Sequence, residues 1–164
     1  MPLLVLSFPK HLEIEIMHEE LLGYIEQIPV FSDFTAEEKK ELCESKNHLV
    51  AYRKGQAIVR QGDMDFSLFI IMRGNVFLTK TEKPDFKITT LKQGSVFGEI
   101  SFNKPHPRAT NVIAETDVTV MKLNGELLEK LSESAQGKIK NKIIEILIKR
   151  LDDINNAMIT YARQ

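Results

Sequence analysis

Cysteine is nearly absent from this chain: Cys43 is the only one in 164 residues. No intramolecular disulfide can form, and there is no zinc or iron–sulfur spacing. A reducing, intracellular setting fits that usage, with Cys43 read as a semi-buried structural thiol. Long apolar runs are also missing. The N-terminal stretch Met1-Pro-Leu-Leu-Val-Leu-Ser-Phe8 is apolar but far short of the roughly 20 residues of a membrane span. It lacks the charged start and small-residue cleavage site of a signal peptide, and it reads as an ordered strand or docking segment. A soluble, cytoplasmic protein with no direct membrane insertion is expected. No excess of one charge exists either: the formal net charge is -1, which leaves no global basic field to attract nucleic acid. His11, His18, His48 and His106 share no ligand spacing, so no metal site is expected, and His106 between two prolines reads as a surface residue. No Ser-His-Asp or Cys-His set can be assembled, and Glu99 with Asp63 makes no catalytic pair. The expectation is a protein that is not an enzyme and has no cofactor.

What is present is a core. Hydrophobic residues make up 43%, enough for one domain with an added helical segment. Three zones follow one another. In residues 1–45, Glu19–Gln27 carries Leu21, Leu22 and Ile25 at helical spacing before Pro29. Thr35-Ala-Glu-Glu38 is a capping box, in which the threonine hydroxyl accepts an early helix N–H and the glutamate reaches back. It opens a helix to about Ser45. In residues 46–124, short apolar segments alternate with turn residues at Lys54-Gly55, Gln61-Gly-Asp63, Arg73-Gly-Asn75, Lys83-Pro-Asp85, Lys92-Gln-Gly94 and Glu115-Thr-Asp117. The strand candidates are 48–52, 57–60, 67–72, 76–81, 86–91, 96–97, 110–114 and 117–122. This spacing indicates an all-β sandwich or barrel, and eight short strands suit a jelly-roll β-barrel. Residues 125–164 read as helical: a short helix over about Glu126–Leu131, then a long one from about Gln136. Ile139, Ile143, Leu147, Leu151, Ile154 and Met158 form a stripe, widened by Ile144, Ile146 and Ile148. One face suffices for packing, and the surplus suggests a homodimer or an effector protein bound through this helix. The expected class is mainly β with flanking α: N-terminal helices, the barrel, a short helix within 97–110 and a long C-terminal helix.

The segment Phe97-Gly-Glu-Ile-Ser-Phe-Asn-Lys-Pro-His-Pro-Arg-Ala-Thr110 carries the chemistry. It is a strand end, a glycine, a short helical turn, then a proline-flanked loop delivering one arginine. Gly98 permits close backbone approach. Amides near Ile100 and Ser101 suit an anion. Arg108 supplies a cationic fork for phosphate oxygens, and Glu99 accepts from a sugar hydroxyl. Together they form a site for a phosphate joined to a ribose.

From Ile28 to Leu131 the chain resembles the cyclic-nucleotide-binding domains of kinase regulatory subunits, cyclic-nucleotide-gated channels and the catabolite-activator family. Ile28-Pro-Val-Phe31, Tyr52-Arg-Lys-Gly55, Gln61-Gly-Asp63, Leu68-Phe-Ile-Ile-Met-Arg-Gly-Asn-Val76 and Pro107-Arg108-Ala109 stand in that family's order. The segment 97–110 would then be its phosphate-binding cassette. The resemblance implies that Arg108 pairs with a cyclic phosphate and that Glu99 accepts the ribose 2′-hydroxyl beside Gly98. The amides of Ile100, Ser101 and Ala109 would complete the phosphate shell, next to Thr110. Gly55, Gly62, Gly74 and Gly94 look like structural turn glycines. Val96, Phe97, Val112 and the strand 67–72 would meet the base. In the kinases it resembles, threonine after the arginine accompanies cGMP preference, so Ala109 points to cAMP. Lys149-Arg150-Leu-Asp-Asp153 resembles, with one residue gapped, the place where channel domains put a capping arginine. Arg150 is therefore a candidate base contact; its alternative is a solvated pair with Asp153.

The expected function is a cAMP-sensing module that relays occupancy by movement of its C-terminal helix. Two alternatives fit the same residues. One is an interaction domain of this fold whose pocket no longer takes nucleotide, against which Glu99 and Arg108 both argue. The other is a regulatory fragment of a larger channel, kinase or transcription regulator. The chain ends at Gln164, with no room after the long helix for a helix-turn-helix, so DNA binding is not expected.

Overall fold

The structure, a computed structural model, describes residues 10–44 and 48–164; the apolar segment Met1–Phe8 lies outside them. Four helices flank the eight strands, two before them and two after, and a fifth short helix lies between the sixth strand and the seventh. These are α1 (Lys10–Gln27), α2 (Ala36–Glu44), α3 (Glu99–Asn103), α4 (Gly125–Lys130) and α5 (Glu133–Ala162), with a 3-10 turn at Pro29–Phe31. The strands are β1 (Leu49–Tyr52), β2 (Ala57–Val59), β3 (Leu68–Arg73), β4 (Val76–Thr79), β5 (Thr89–Leu91), β6 (Val96–Phe97), β7 (Asn111–Ala114) and β8 (Val118–Leu123). They form two four-stranded antiparallel sheets, in the orders β1-β8-β3-β6 and β2-β7-β4-β5.

The expected eight strands are present, with shifted limits. The segment expected as 86–91 pairs only over Thr89–Leu91. Its beginning is turned, with Lys83 donating to the Lys80 carbonyl and Phe86 to the Lys83 carbonyl, and Pro84 between them has no N–H for a ladder. α1 begins at Lys10, earlier than the apolar spacing from Glu19 suggests. α5 begins at Glu133 because Ser132 caps it, its hydroxyl accepting from the Ala135 amide at 3.3 Å. Among the described residues no helix is long and apolar enough to cross a membrane.

Period-two alternation divides the core in two. On β3, Phe69 and Ile71 pack between the sheets with Val59, Val76, Phe97, Val112 and Val120. Leu68, Ile70 and Met72 point the other way, into a cluster with Ile25, Phe31, Leu42, Leu123, Ala135, Ile139 and Ile143. β3 is thus buried on both faces, which is why its sequence is a continuous apolar run. The second cluster fixes α1, α2, α4 and the start of α5 to the outer face of one sheet. Cys43 is buried there; burial, with Glu44 beside it, raises its thiol pKa, as suits a structural thiol. Where β3 turns into β4, Gly74 has φ +86, and a Cβ there would lie 2.3 Å from the Asp117 carbonyl oxygen. Only glycine fits that turn.

The capping box has a second role. Thr35 N–H donates to the Glu38 carboxylate at 2.8 Å, and Glu38 N–H donates to the Thr35 hydroxyl at 3.2 Å. The same carboxylate accepts from Ser134 Oγ and from Lys138 Nζ, each at 2.6 Å. Lys142 also meets Asp33 at 3.2 Å. The start of α5 is therefore clamped to α2 by a nearly buried carboxylate. Hydrogen bonds from Lys138, Ser134 and the Thr35 amide outweigh burial and hold Glu38 at about 2, against an ordinary 4.5. Because the folded pKa is the lower one, this stabilisation is complete above about pH 4.5 and is lost as pH falls toward 2. Glu38→Gln is expected to cost about 2 kcal/mol at pH 7, the scale of a charge-assisted hydrogen bond. Thermal unfolding of both proteins between pH 7 and pH 3 should show the gap closing below about pH 4.5; a gap independent of pH would contradict the assignment.

Candidate functional site

The site is built around the seat of Arg108. Its backbone is gripped on both sides by the turn after β2. Arg108 N–H donates to the Asp63 carbonyl, and Gly62 N–H donates to the Arg108 carbonyl, both at 2.8 Å. The Gln61-Gly-Asp63 motif therefore positions the arginine, with Gly62 at φ +90. Lys80 adds a third hold, donating from Nζ to the Ala109 carbonyl.

From that fixed backbone the guanidinium points inward, and Arg108 is only 4% exposed. Nη1 donates to the Gly98 carbonyl at 3.1 Å and Nη2 to the Ser67 carbonyl at 2.6 Å. Phe69 lies beneath the guanidinium, 5.6 Å from its ring centroid. Asp65 stands off at 3.8 Å from Nη2. Its carboxylate is already engaged by the Ser67 amide at 3.0 Å, the Ser67 hydroxyl at 2.8 Å and Lys122 at 3.2 Å. Burial pushes Asp65 up, but the Ser67 donors and Lys122 outweigh it and hold it below its ordinary value. Burial likewise draws the Arg108 pKa down, against Asp65, Glu99 and Asp63, but a guanidinium stays charged in proteins. Its Nε–H is buried without a partner among the described residues. A buried unsatisfied donor costs about 1–3 kcal/mol, so an acceptor there is strongly favoured.

Gly98 makes this seat possible. It has φ +83, and a Cβ would lie 2.6 Å from Arg108 Nη1 and 2.8 Å from the Ser67 carbonyl. The missing side chain makes room for the arginine of its own segment. α3 begins at the next residue, with Glu99 6% exposed. The Glu99 carboxylate accepts from Arg150 Nη1, while Arg150 Nη2 donates to the Val96 carbonyl. Arg150 thus crosses from α5 to the start of the segment 97–110.

These groups line a cavity of about 550 Å³. Gly98, Glu99, Ile100, Ser101, Arg108, Ala109 and Thr110 of the segment 97–110 all line it. Phe97 and Val112 also line it, with Val59, Leu78, Ile88, Thr89 and Leu91 from the second sheet and its turns. Arg150, Asp153 and Ile154 of α5 complete the wall. Ser101 is buried, whereas Ile100 is 54% exposed.

Three expectations need correction. Val96 does not line the cavity: on a two-residue strand its side chain must face opposite to that of Phe97, and it packs in the helical core cluster. Only its carbonyl reaches the site. The side chains of strand 67–72 also stay in the two core clusters, and the apolar wall comes instead from β2, β4 and β5. Arg150 does not pair with Asp153, which takes Lys149 at 3.2 Å. The seat of Arg108 in Asp65, Ser67 and Phe69 escaped the sequence reading; the Gln61-Gly-Asp63 turn was its one local signal. His106 is exposed as expected, and among the described residues no group of three or more metal-ligating side chains exists.

Comparison with known proteins gives the same framework. The family model described as the cyclic nucleotide-binding domain matches residues 49–135. A cAMP-dependent protein kinase regulatory subunit from Hypocrea atroviridis is 26% identical over 118 residues, covering 72% of this chain and 25% of that protein. The chain thus spans about a quarter of the length of such curated relatives. A solved PKAR CBD2 with Sp-2Cl-cAMPS bound superposes at a TM-score of 0.68 with 20% identity, over 88% of this chain and 93% of that one. The regulatory subunit of a cAMP-independent protein kinase A from Trypanosoma brucei superposes at 0.64 with 23% identity, over 93% of this chain and 51% of that one. With a family match over more than half of its length, this chain belongs to the cyclic nucleotide-binding domain family.

Proposed function

We propose that the domain is a cAMP sensor that binds the nucleotide in the cavity beside Arg108, performs no chemistry on it, and relays occupancy through α5. The observation that carries this reading is Arg108, which lines the cavity: its guanidinium is buried, charged, held by two backbone carbonyls, and left among the described residues with one unpartnered buried donor, Nε–H. Among the described residues no carboxylate is hydrogen-bonded to it, Asp65 standing at 3.8 Å. A cyclic phosphate supplies both the charge and the acceptor. Glu99 is the acceptor a ribose 2′-hydroxyl needs, and Gly98, Ile100, Ser101, Ala109 and Thr110 line the same cavity. Phe97, Val112, Leu78 and Leu91 offer the base an apolar wall. Ala109, in place of a hydroxyl side chain, favours adenine over guanine. Since a cAMP-independent regulatory subunit shares the fold, these residues and not the fold support the reading. The same reading expects a cytoplasmic protein whose partners resemble those of kinase regulatory subunits.

Titration calorimetry tests it. cAMP should bind at micromolar concentration or tighter, and more tightly than cGMP. Arg108→Ala should lose roughly 2–4 kcal/mol, the scale of a buried charged contact. Arg108→Lys keeps the charge without the fork and should fall between. Heat-silent titrations of the folded wild type with both nucleotides would sink the reading.

A second reading concerns output. The helical stripe expected on α5 divides in the structure: Ile139 and Ile143 are buried, while Ile144, Leu147, Leu151, Ile154, Met158 and Tyr161 are exposed by 37–81%. Their steps alternate three and four, the seam of a two-helix coiled coil. A contiguous exposed apolar face of this length requires a cover, and a seam that is self-complementary by spacing fits a second copy of this chain. The flanking positions carry Ile148, Asn155, Ala157, Ala162 and one charge, Arg150, which is engaged by Glu99. Sedimentation velocity should show a dimer at tens of micromolar, converted to monomer by Met158→Glu. A monomeric wild type would rule out the homodimer and leave an effector protein as the occupant.

A further inference from the structure

A second concave site lies on the β1-β8-β3 sheet, apart from the cavity of Arg108. It is a groove of about 440 Å³ that shares no residue with that cavity. Ala51, Val118 and Thr119 line it with small side chains, and Arg53 and Arg73 line it with charge. Both arginines are exposed, and among the described residues neither guanidinium has a hydrogen-bond or ion-pair partner. The register sets Ala51, Thr119 and Arg73 in one row across three strands, with Tyr52 beside Val118. Continued by one residue, it sets Arg53 level with Asp117. The two arginines therefore stand on either side of β8, about 10 Å apart across the ladder, which is two interstrand spacings.

Their backbones are locked although their side chains are unpaired. The turn after β1 is tied to the start of β8: Lys54 N–H donates to the Asp117 carboxylate at 2.9 Å and Gly55 N–H to the Ala114 carbonyl at 2.8 Å. Arg53 N–H donates to the side-chain carbonyl of Gln56 at 2.7 Å. The turn after Arg73 is tied to the same segment, with Asn75 N–H on the Thr116 hydroxyl at 3.1 Å and Glu115 N–H on the Asn75 carbonyl at 2.9 Å. Asp117 is the one carboxylate in the lining. It is taken by the Lys54 amide and pairs with neither arginine. Two like charges mounted so close repel, and an anionic partner relieves that repulsion. A single small anion centred between them would sit against Asp117. A chain with one carboxylate beside each arginine avoids it. In an extended peptide, side chains at i and i+2 share a face about 6.7 Å apart, a spacing that two long arginine side chains can meet. The groove walls are exposed, unlike the enclosing walls of small-molecule sites. We propose that this groove docks an extended acidic segment of another protein, with alternate carboxylates on Arg53 and Arg73 and the chain passing over Ala51 and Thr119. Docking there needs no nucleotide in the Arg108 cavity.

The test is fluorescence anisotropy of a labelled decapeptide of alternating glutamate and serine, titrated with the full chain at low salt and without nucleotide. The peptide should bind, and added sodium chloride should weaken the complex. Arg53→Gln and Arg73→Gln should each weaken it about fivefold, the upper range for an exposed ion pair, and the double variant about 25-fold. Neither guanidinium holds another part of the fold, so the variants should keep the parent's circular dichroism and melting temperature. Lys92→Gln, which changes an exposed lysine outside the groove, should leave binding unchanged. The matching glutamine–serine peptide should not bind. No anisotropy change up to millimolar protein would overturn the docking site, and so would equal losses from Lys92→Gln and the two arginine variants. Inorganic phosphate at the peptide's concentration should not displace it; displacement would overturn the acidic segment in favour of a single-anion site. Binding to phosphatidylserine vesicles by the parent but not by the double variant, with no binding of the peptide, would overturn it in favour of a lipid surface.

Discussion

A guanidinium buried among backbone carbonyls is the constraint on which the site depends. Burying a charge without an ion-pair partner in hydrogen-bonding range is expensive, and Arg108 is placed that way by its surroundings. The turn at Gln61-Gly-Asp63 holds its backbone on both sides. Gly98 vacates the volume its Nη1 occupies, and the Ser67 carbonyl takes Nη2. Asp65, the nearest carboxylate, is occupied by Ser67 and Lys122, so it moderates the charge without cancelling it. A cation organised in this way is complementary to an anion that arrives later. The strand order serves the same end: β6 pairs with β3 through Val96 and Phe97, and Gly98 and α3 follow directly.

The second organising feature is the contrast along α5. Its base belongs to the helical core and is clamped through Glu38; its distal half belongs to solvent except at Arg150. The contrast gives each part of the helix its own stability, the arrangement from which moving elements are drawn. The exposed seam from Ile144 to Tyr161 runs along the same stretch of helix as Arg150.

Much of this was legible in the sequence where chemistry and proximity coincide. The capping box at Thr35 and Glu38, the turn glycines and the segment 97–110 are local, and each is dictated by residue types at short spacing. What escaped is long-range. Nothing near Arg108 in the chain says that Ser67, 41 positions away, takes its Nη2, or that Arg150 meets Glu99 across 51 positions. The wrong side for Val96 came from a two-residue strand, too short for alternation to declare which residue faces the cavity. The apolar wall from Leu78, Ile88 and Leu91 depends on how the second sheet lies against the segment 97–110, and period-two patterning is silent on that. The stripe on α5 was visible, but its division into a buried and an exposed part appears only when the helix outruns the sheets.

The most direct test of the account follows the Arg108 Nε–H itself. Its proton–nitrogen resonance, assigned by its loss in Arg108→Lys, reports whether that donor has gained an acceptor. On addition of cAMP the account predicts a saturable downfield proton shift of this one arginine signal, with the other arginine side chains outside the site unmoved. A resonance that stays in place under excess cAMP and excess cGMP would contradict the claim that Arg108 is seated for a cyclic phosphate.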